Sequence, residues 1–458
     1  MTLQQNSASK DERSLPPGIP LPSLDNNSRL ASTMHEAIDA KRHFTQREFL
    51  IMLFLSIACL TEGSCFAHIS PFYAEELETR GNSKTQYGIL FGCYPFVGMF
   101  TAPIVGKLLV RTIRAKNMLV WGMLLDALFT IATGFLTWID GYPFFYFGLL
   151  LRSLQSVGFS MACTTFYAII GAELGPWAHI CLPIIETIYG ASVVIGPAIG
   201  GFMYERGGFK LPFFFLGIST LITTFLIMAT FPVVRKGTQS SRFQSSCLLD
   251  IRIILNLLMV MSTFIIVGFN DATLALHLRQ FALSPTMTGL SFIICGGFYS
   301  VSSVFWGIMC KRVRDPRFIV LCGAVLTNIA VALVGPLPFI TVEATLTLVL
   351  VMQAFMGTGY GPSFVCSFMH SLHVLTTEKG LPDDLGTYAM LSGIFMPACF
   401  FGNAVGPVLG GILLDYYGYR HATLLMFLIV LAMLLLVSAS VIHDNCIRPK
   451  RTADENRT

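Results

Sequence analysis

A chain of 458 residues that is 54% hydrophobic and only 12% charged carries about half the roughly 25% charge of ordinary soluble domains, which leaves a polytopic membrane protein. Its formal charge of +4 does not point to nucleic acid, because the basic residues sit in short loops beside apolar runs, where they set topology. The twelve cysteines show neither paired extracellular spacing nor a CxxC zinc pattern and read as small buried apolar residues.

The first 43 residues are polar, carry Pro16, Pro17, Pro20 and Pro22, and lack the apolar core and cleavage site of a signal peptide, so they read as a disordered tail. Beyond them, windows of about 20 apolar residues predict an all-α membrane protein with twelve spans. The expected limits are 47–71, 86–107, 117–138, 143–166, 181–203 and 211–232, then 253–276, 286–309, 317–338, 345–369, 386–413 and 422–443. Basic residues collect between the second and third spans (Lys107, Arg111, Arg114, Lys116) and between the eighth and ninth (Lys311, Arg312, Arg314, Arg317). The central loop adds Arg235, Lys236 and Arg242, whereas the loop after the first span is acidic, with Glu75, Glu76 and Glu78. By the positive-inside rule both termini are cytoplasmic, and the sequons at Asn26 and Asn456 stay unmodified. The organisation expected is a tail at 1–43, a six-helix half at 44–232, a cytoplasmic linker at 233–252, a second half at 253–443 and a tail at 444–458.

The fifth span is the most unusual, because Gly190, Gly196, Pro197, Gly200 and Gly201 interrupt an apolar run that also contains Glu186. At about 100° per residue, Glu186, Gly190, Val193, Pro197 and Gly200 share a face, so a carboxylate lies on a surface made for close helix approach. The pattern Gly196-Pro197 to Gly200-Gly201 returns 210 positions later as Gly406-Pro407 to Gly410-Gly411. Each copy is followed by an acid, Glu205 or Asp415. Likewise Gly88, Gly106 and Arg111 return 201 positions later as Gly289, Gly307 and Arg312. Internal symmetry of this kind marks a transporter built from two pseudo-symmetric six-helix halves, with its site near the bilayer midplane.

Over about residues 45–445 the chain resembles the major facilitator superfamily. The Gly196–Gly201 run resembles that family's antiporter motif, Arg152-Ser-Leu-Gln155-Ser-Val-Gly158 its RxxQxxG motif, and Gly106 to Arg114 its cytoplasmic loop motif. The last departs from pattern, since the acid expected four residues after the glycine is Val110 here and Lys311 in the second half. Within the superfamily the chain is most similar to the vesicular amine transporters, above all the vesicular polyamine branch. Pro71-Phe72-Tyr73, Gly88 to Cys93, Glu186-Thr187 and Asp271-Ala272-Thr273-Leu274 carry that likeness. Glu62 stands where the monoamine and acetylcholine branches have an acid, but Met396 replaces their acid in the eleventh span. The resemblance implies proton-coupled transport of amines in a vesicle or other endomembrane.

Ionisable groups inside a span are costly, at roughly 2.5–3.5 kcal/mol each on the most lenient scale, and are functional by default. Glu62, Asp126, Arg152, Glu186 and Asp271 are the clear cases, four acids against one base. A negative cavity favours a cationic substrate, and its carboxylates are candidates for proton exchange. The bland alternatives are a vestibule contact for Glu62, a packing acid for Glu186, and mutual neutralisation of Asp126 and Arg152. His68, His277, His370 and His373 lie toward span ends, where a satisfied polar tip is ordinary, and no carboxylate or cysteine completes a metal pattern around the last two. Tyr94, Phe96, Tyr167, Tyr189 and Tyr299 offer an aromatic surface to an amine, with helix packing as the plainer role.

The expectation is a monomeric antiporter working in the bilayer without cofactor or metal, exchanging protons for an organic cation. Its rivals are a facilitator of a neutral or anionic solute and a non-transporting sensor on the same scaffold. No Ser/His/Asp set, phosphate loop or metal constellation supports an enzyme.

Overall fold

The computed structural model describes residues 44–111, 114–174, 177–232, 250–310, 312–313, 315–381 and 385–444. Both terminal tails up to residue 43 and from 445, and residues 233–249 of the linker, lie outside the described residues. The described chain holds twelve helices long and apolar enough to cross a membrane. They are α1 Gln46–Ala67, α2 Lys84–Arg111, α3 Ala115–Gly134, α4 Tyr142–Glu173, α5 Ala178–Gly207 and α6 Lys210–Thr230. The second six are α7 Ile251–Leu278, α8 Pro285–Cys310, α9 Arg317–Val334, α10 Leu346–His373, α11 Leu385–Tyr416 and α12 Tyr419–Ile442. No strand occurs among the described residues.

Every expected span has its helix, and the limits differ where local chemistry overrides hydropathy. The first was expected to run to 71, but α1 stops at Ala67 and gives way to turns before a short helix, Tyr73–Thr79. Pro71 disfavours helical geometry at Ser70, which ends the run early. The fourth was expected to stop at 166, but α4 continues to Glu173 because nothing in Phe166 to Ile170 breaks the helix.

The two sets of six repeat one packing plan. Helix α4 packs against α2 and α3, and α3 against α6; correspondingly α10 packs against α8 and α9, and α9 against α12. The loops after α3 and α9 are each clamped by an arginine, though from positions the repeat does not relate. Arg80 donates to the carbonyls of Leu136 and Ile139 in the first half, and Arg420 to those of Pro336, Leu337 and Ile340 in the second.

The glycine-proline repeats explain how the halves are joined, since each copy serves two seams. Within its own half, Gly196 packs on Ser64 and Ala67 of α1 and Gly200 on the His68 carbonyl, while Gly406 packs on the Ile265 carbonyl and Gly410 on Phe269 of α7. Across to the other half, a Cβ at Gly289 of α8 would strike the Pro197 carbonyl oxygen, and one at Gly88 of α2 the Pro407 carbonyl oxygen. Gly201 and Gly411 meet the Pro285 and Lys84 carbonyls in the same reciprocal way. The face expected from Glu186 to Gly200 is therefore divided, with Gly200 turned to the α1 end and Pro197 to α8. These close approaches lie toward the beginnings of α2 and α8. Farther along, Phe100, Ile104 and Leu108 of α2 and Val301, Val304 and Ile308 of α8 are exposed. The halves thus grip each other at the face opposite the basic loops.

Candidate substrate and proton site

Inside the first half, four helices deliver polar groups to one fully buried cluster. Glu62 comes from α1, Asp126 and Thr130 from α3, and Arg152 and Gln155 from α4, all with no accessible surface, with Tyr94 of α2 beside them. Small residues make room for it. A Cβ at Gly158 would lie 2.5 Å from the Asp126 nitrogen, and Gly122 meets Gly158 and Ala162 just as closely, so α3 and α4 run nearly backbone to backbone.

Arg152 and Asp126 are not paired. The guanidinium donates to Gln155 Oε1 at 2.7 Å and to the Phe66 carbonyl at 3.3 Å, and lies 4.4 Å over the Tyr94 ring. Gln155 in turn donates to Thr130 Oγ1 at 2.7 Å and to the Cys65 carbonyl at 3.5 Å. The arginine is thus held by neutral acceptors and a ring, while both oxygens of Glu62 and both of Asp126 have no hydrogen-bond partner. The two carboxyl groups lie within each other's field. Two acids and one base carry a net charge of −1 if all ionise, and an unpaired buried charge is expensive. One proton, or one cation entering the cluster, balances the set.

The second half answers with neutral groups. At the positions 201 residues after Asp126 and Arg152 stand Thr327 and Gln353. Gln353 exchanges two amide bonds with Asn270 of α7, at 3.0 and 2.8 Å. This pair was not anticipated from the sequence; its signal was the repeat itself, which places an amide where the first half has its arginine. Asp271, next to Asn270, is partly buried on α7. It lies in electrostatic reach of Tyr87 on α2 and Tyr360 on α10, whose buried hydroxyls have no partner. The structure therefore groups Glu62, Asp126 and Arg152, and sets Asp271 apart on the second half. Glu186 falls on α5, and its side chain lies outside those described.

The weaker candidates resolve by packing. Tyr94 is buried and occupied by Arg152, and Phe96 packs edge-on against Phe100 with ring centroids 5.2 Å apart. His277 stacks on Tyr419 at 3.8 Å, and His370 bonds Asn256 at 2.9 Å. His68 bonds the Cys65 carbonyl at 2.9 Å and packs on Phe213, leaving Nε2 without a partner. No group of three metal-binding side chains occurs among the described residues.

Two six-helix halves that meet along paired glycine seams, with ionisable groups in the interior of one, define a membrane transporter rather than an enzyme. The chain belongs to the Major Facilitator Superfamily, whose family model matches residues 51–379 and 252–455. It is 29% identical over 378 residues to the human (Homo sapiens) MFS-type transporter SLC18B1, covering 81% of this chain and 82% of the relative. It is 23% identical over 379 residues to multidrug resistance protein 2 of Bacillus subtilis, covering 78% and 87%. Among solved structures, a bacterial homolog of the human lysosomal transporter Spinster, in an inward-facing and occupied conformation, superposes with a TM-score of 0.69 at 12% identity, covering 86% of this chain and 97% of that one. The D-xylose-proton symporter gives 0.66 at 14% identity, with the same coverage. These superpositions bear on the fold alone.

Proposed function

We propose that the chain is a proton-coupled antiporter of organic cations, polyamines foremost, working by alternating access between the cytoplasm and an acidic compartment. The observation that carries this reading is the Glu62–Asp126–Arg152 cluster, which is one positive charge short of balance and has four carboxylate oxygens without a donor. A proton and a substrate ammonium are alternative ways of supplying that charge, which is the condition for exchange. Asp271 offers a second anionic contact from the other half, suited to a substrate with more than one amino group. Glu186, on the helix that carries the glycine seam, is proposed as a further proton or substrate contact. The resemblance to the vesicular polyamine branch and the similarity to SLC18B1 support the cargo class. Basic loops on one side orient the termini and the open end of the seam toward the cytoplasm.

Competition between cation and proton is directly measurable. Adding spermidine to the purified protein in weak buffer with a pH indicator is expected to release protons, and Glu62→Gln is expected to abolish the release. Saturable spermidine binding with no proton release in the native protein overturns the exchange scheme.

A facilitator is favoured by one observation, the neutral Thr327 and Gln353 at the second-half positions of Asp126 and Arg152. It predicts binding without proton release and flux indifferent to a pH gradient.

A further inference from the structure

The acid that follows each glycine-proline repeat has a use that transport of a cation does not by itself explain. Glu205 sits in the last turns of α5 and Asp415 in the last turns of α11, and neither reaches the buried cluster. Each instead crosses to the other half. Asp415 accepts from the backbone nitrogens of Lys84 at 3.1 Å and Thr85 at 2.7 Å and from the Thr85 hydroxyl, at the first residues of α2. Glu205 accepts from the Thr286 backbone nitrogen at 3.2 Å and from the Thr286 hydroxyl, at the first residues of α8. Thr85 and Thr286 are 201 positions apart, and Glu205 and Asp415 are 210 apart, so the two contacts are copies of one device related by the internal repeat.

The first turn of a helix presents amide protons that no residue of that helix can accept, and carries the positive end of its dipole. A helix normally meets that need from its own chain, through the residue just before it. Here α2 and α8 take part of their caps from a carboxylate in the opposite half. Such a cap is complete only while the halves touch at this face. Directly beneath each one the backbones are in contact, Gly411 on the Lys84 carbonyl and Gly201 on the Pro285 carbonyl, so the carboxylates cannot follow if the seam parts. Glu78 of the short helix after α1 also pairs with Arg279, just past the end of α7, again across the halves.

We infer that Glu205 and Asp415 are paired latches that hold shut the face opposite the basic loops, each by capping the first turn of a helix in the other half. They set how often this face opens. When it opens, both helices lose charged caps to water, which weights the equilibrium toward the closed form seen here. Glu78–Arg279 adds a partly exposed ion pair that salt weakens. The inference rests on the fold and the seam and is independent of cargo and of proton coupling.

The test is a distance measurement in the full-length protein, reconstituted in nanodiscs without substrate. Spin labels carried on unnatural amino acids at Tyr142, the exposed first residue of α4, and at Thr341, in the exposed loop before α10, report from the two halves on the latched face. The native protein is expected to give mainly the short distance. A cap is worth about a fivefold change in equilibrium, so Glu205→Ala with Asp415→Ala is expected to raise the ratio of long to short distances roughly 25-fold. Glu205→Gln with Asp415→Asn, which keeps an acceptor but removes the charge, is expected to give a smaller rise of the same kind. A folded double-alanine protein with an unchanged distance distribution overturns the inference. If the double-alanine protein does not fold, the Gln/Asn pair decides alone, and an unchanged distribution there overturns it equally. Because the readout is a distance, loss of polyamine exchange with normal latching would count against the cargo assignment and not against the latch.

Discussion

At the residue scale, Arg152 is the clearest departure from what ionisable types alone suggest. Opposite charges on adjacent spans invite pairing, yet Arg152 turns to Gln155, the Phe66 carbonyl and the Tyr94 face, leaving the oxygens of Asp126 and Glu62 without a hydrogen-bond partner. A purely structural acid would be missed mainly for its packing. Asp126→Asn preserves shape and removes an unpaired charge, so its thermal midpoint is expected to match or exceed that of the native protein while amine exchange falls more than tenfold. A large drop in the midpoint would show that the carboxylate has a structural partner. Arg152→Ala strands Gln155 and a buried carbonyl, each worth about 1–3 kcal/mol when left unsatisfied, and is expected to lower stability in denaturant titrations.

The small residues of the RxxQxxG motif act at the scale of elements. Gly158 lets α4 approach α3 closely enough for Asp126 and Gln155 to share one cluster, and a Cβ there meets backbone that cannot yield. Gly158→Ala is expected to destabilise the first half by about 1–3 kcal/mol, read as a lower thermal midpoint. At the second half's basic-loop face, Asp250 caps α7 by accepting from the Arg252 backbone nitrogen at 3.0 Å and is bonded by the Arg252 side chain and by Lys379. The Arg252 side chain's hydrogen bonds, ahead of any other influence, hold the Asp250 carboxyl well below its ordinary range. A carboxyl lowered in the folded state stabilises above its unfolded pKa of about 3.9, and that contribution fades as pH falls through the folded value. Asp250→Asn is therefore expected to lower the thermal midpoint equally at pH 5.5 and pH 7.5. A penalty that shrinks at pH 5.5 would show that the clamp titrates there.

How much of this was legible follows from the physics of each signal. Twelve apolar windows sufficed for the helices, because a bilayer demands length and hydropathy whatever the packing. The repeat of Gly196–Gly201 at Gly406–Gly411 gave the symmetry, but helical phase alone could not divide its residues between two seams. That division depends on which helix lies on each side, and sequence spacing does not contain it. The buried acids were visible as types, whereas their orphaned state depends on where Arg152 points. Glu205 and Asp415 were visible as a repeated pair, and only the opposite half shows what they hold.

At the scale of the whole molecule, symmetrical seams carry an asymmetrical interior. The first half holds two unpaired acids and an arginine; the second holds a glutamine and a threonine in the matching places, with Asp271 nearer the junction. A rocking pair of halves needs the symmetry, and coupling to a proton needs charge in only one of them. The most direct test is counterflow into proteoliposomes with an imposed acidic interior. The account predicts that labelled spermidine accumulates above its external concentration only while the gradient lasts, that a protonophore collapses the accumulation, and that Glu62→Gln abolishes it without loss of folded protein. Equal spermidine uptake with and without the gradient would contradict it.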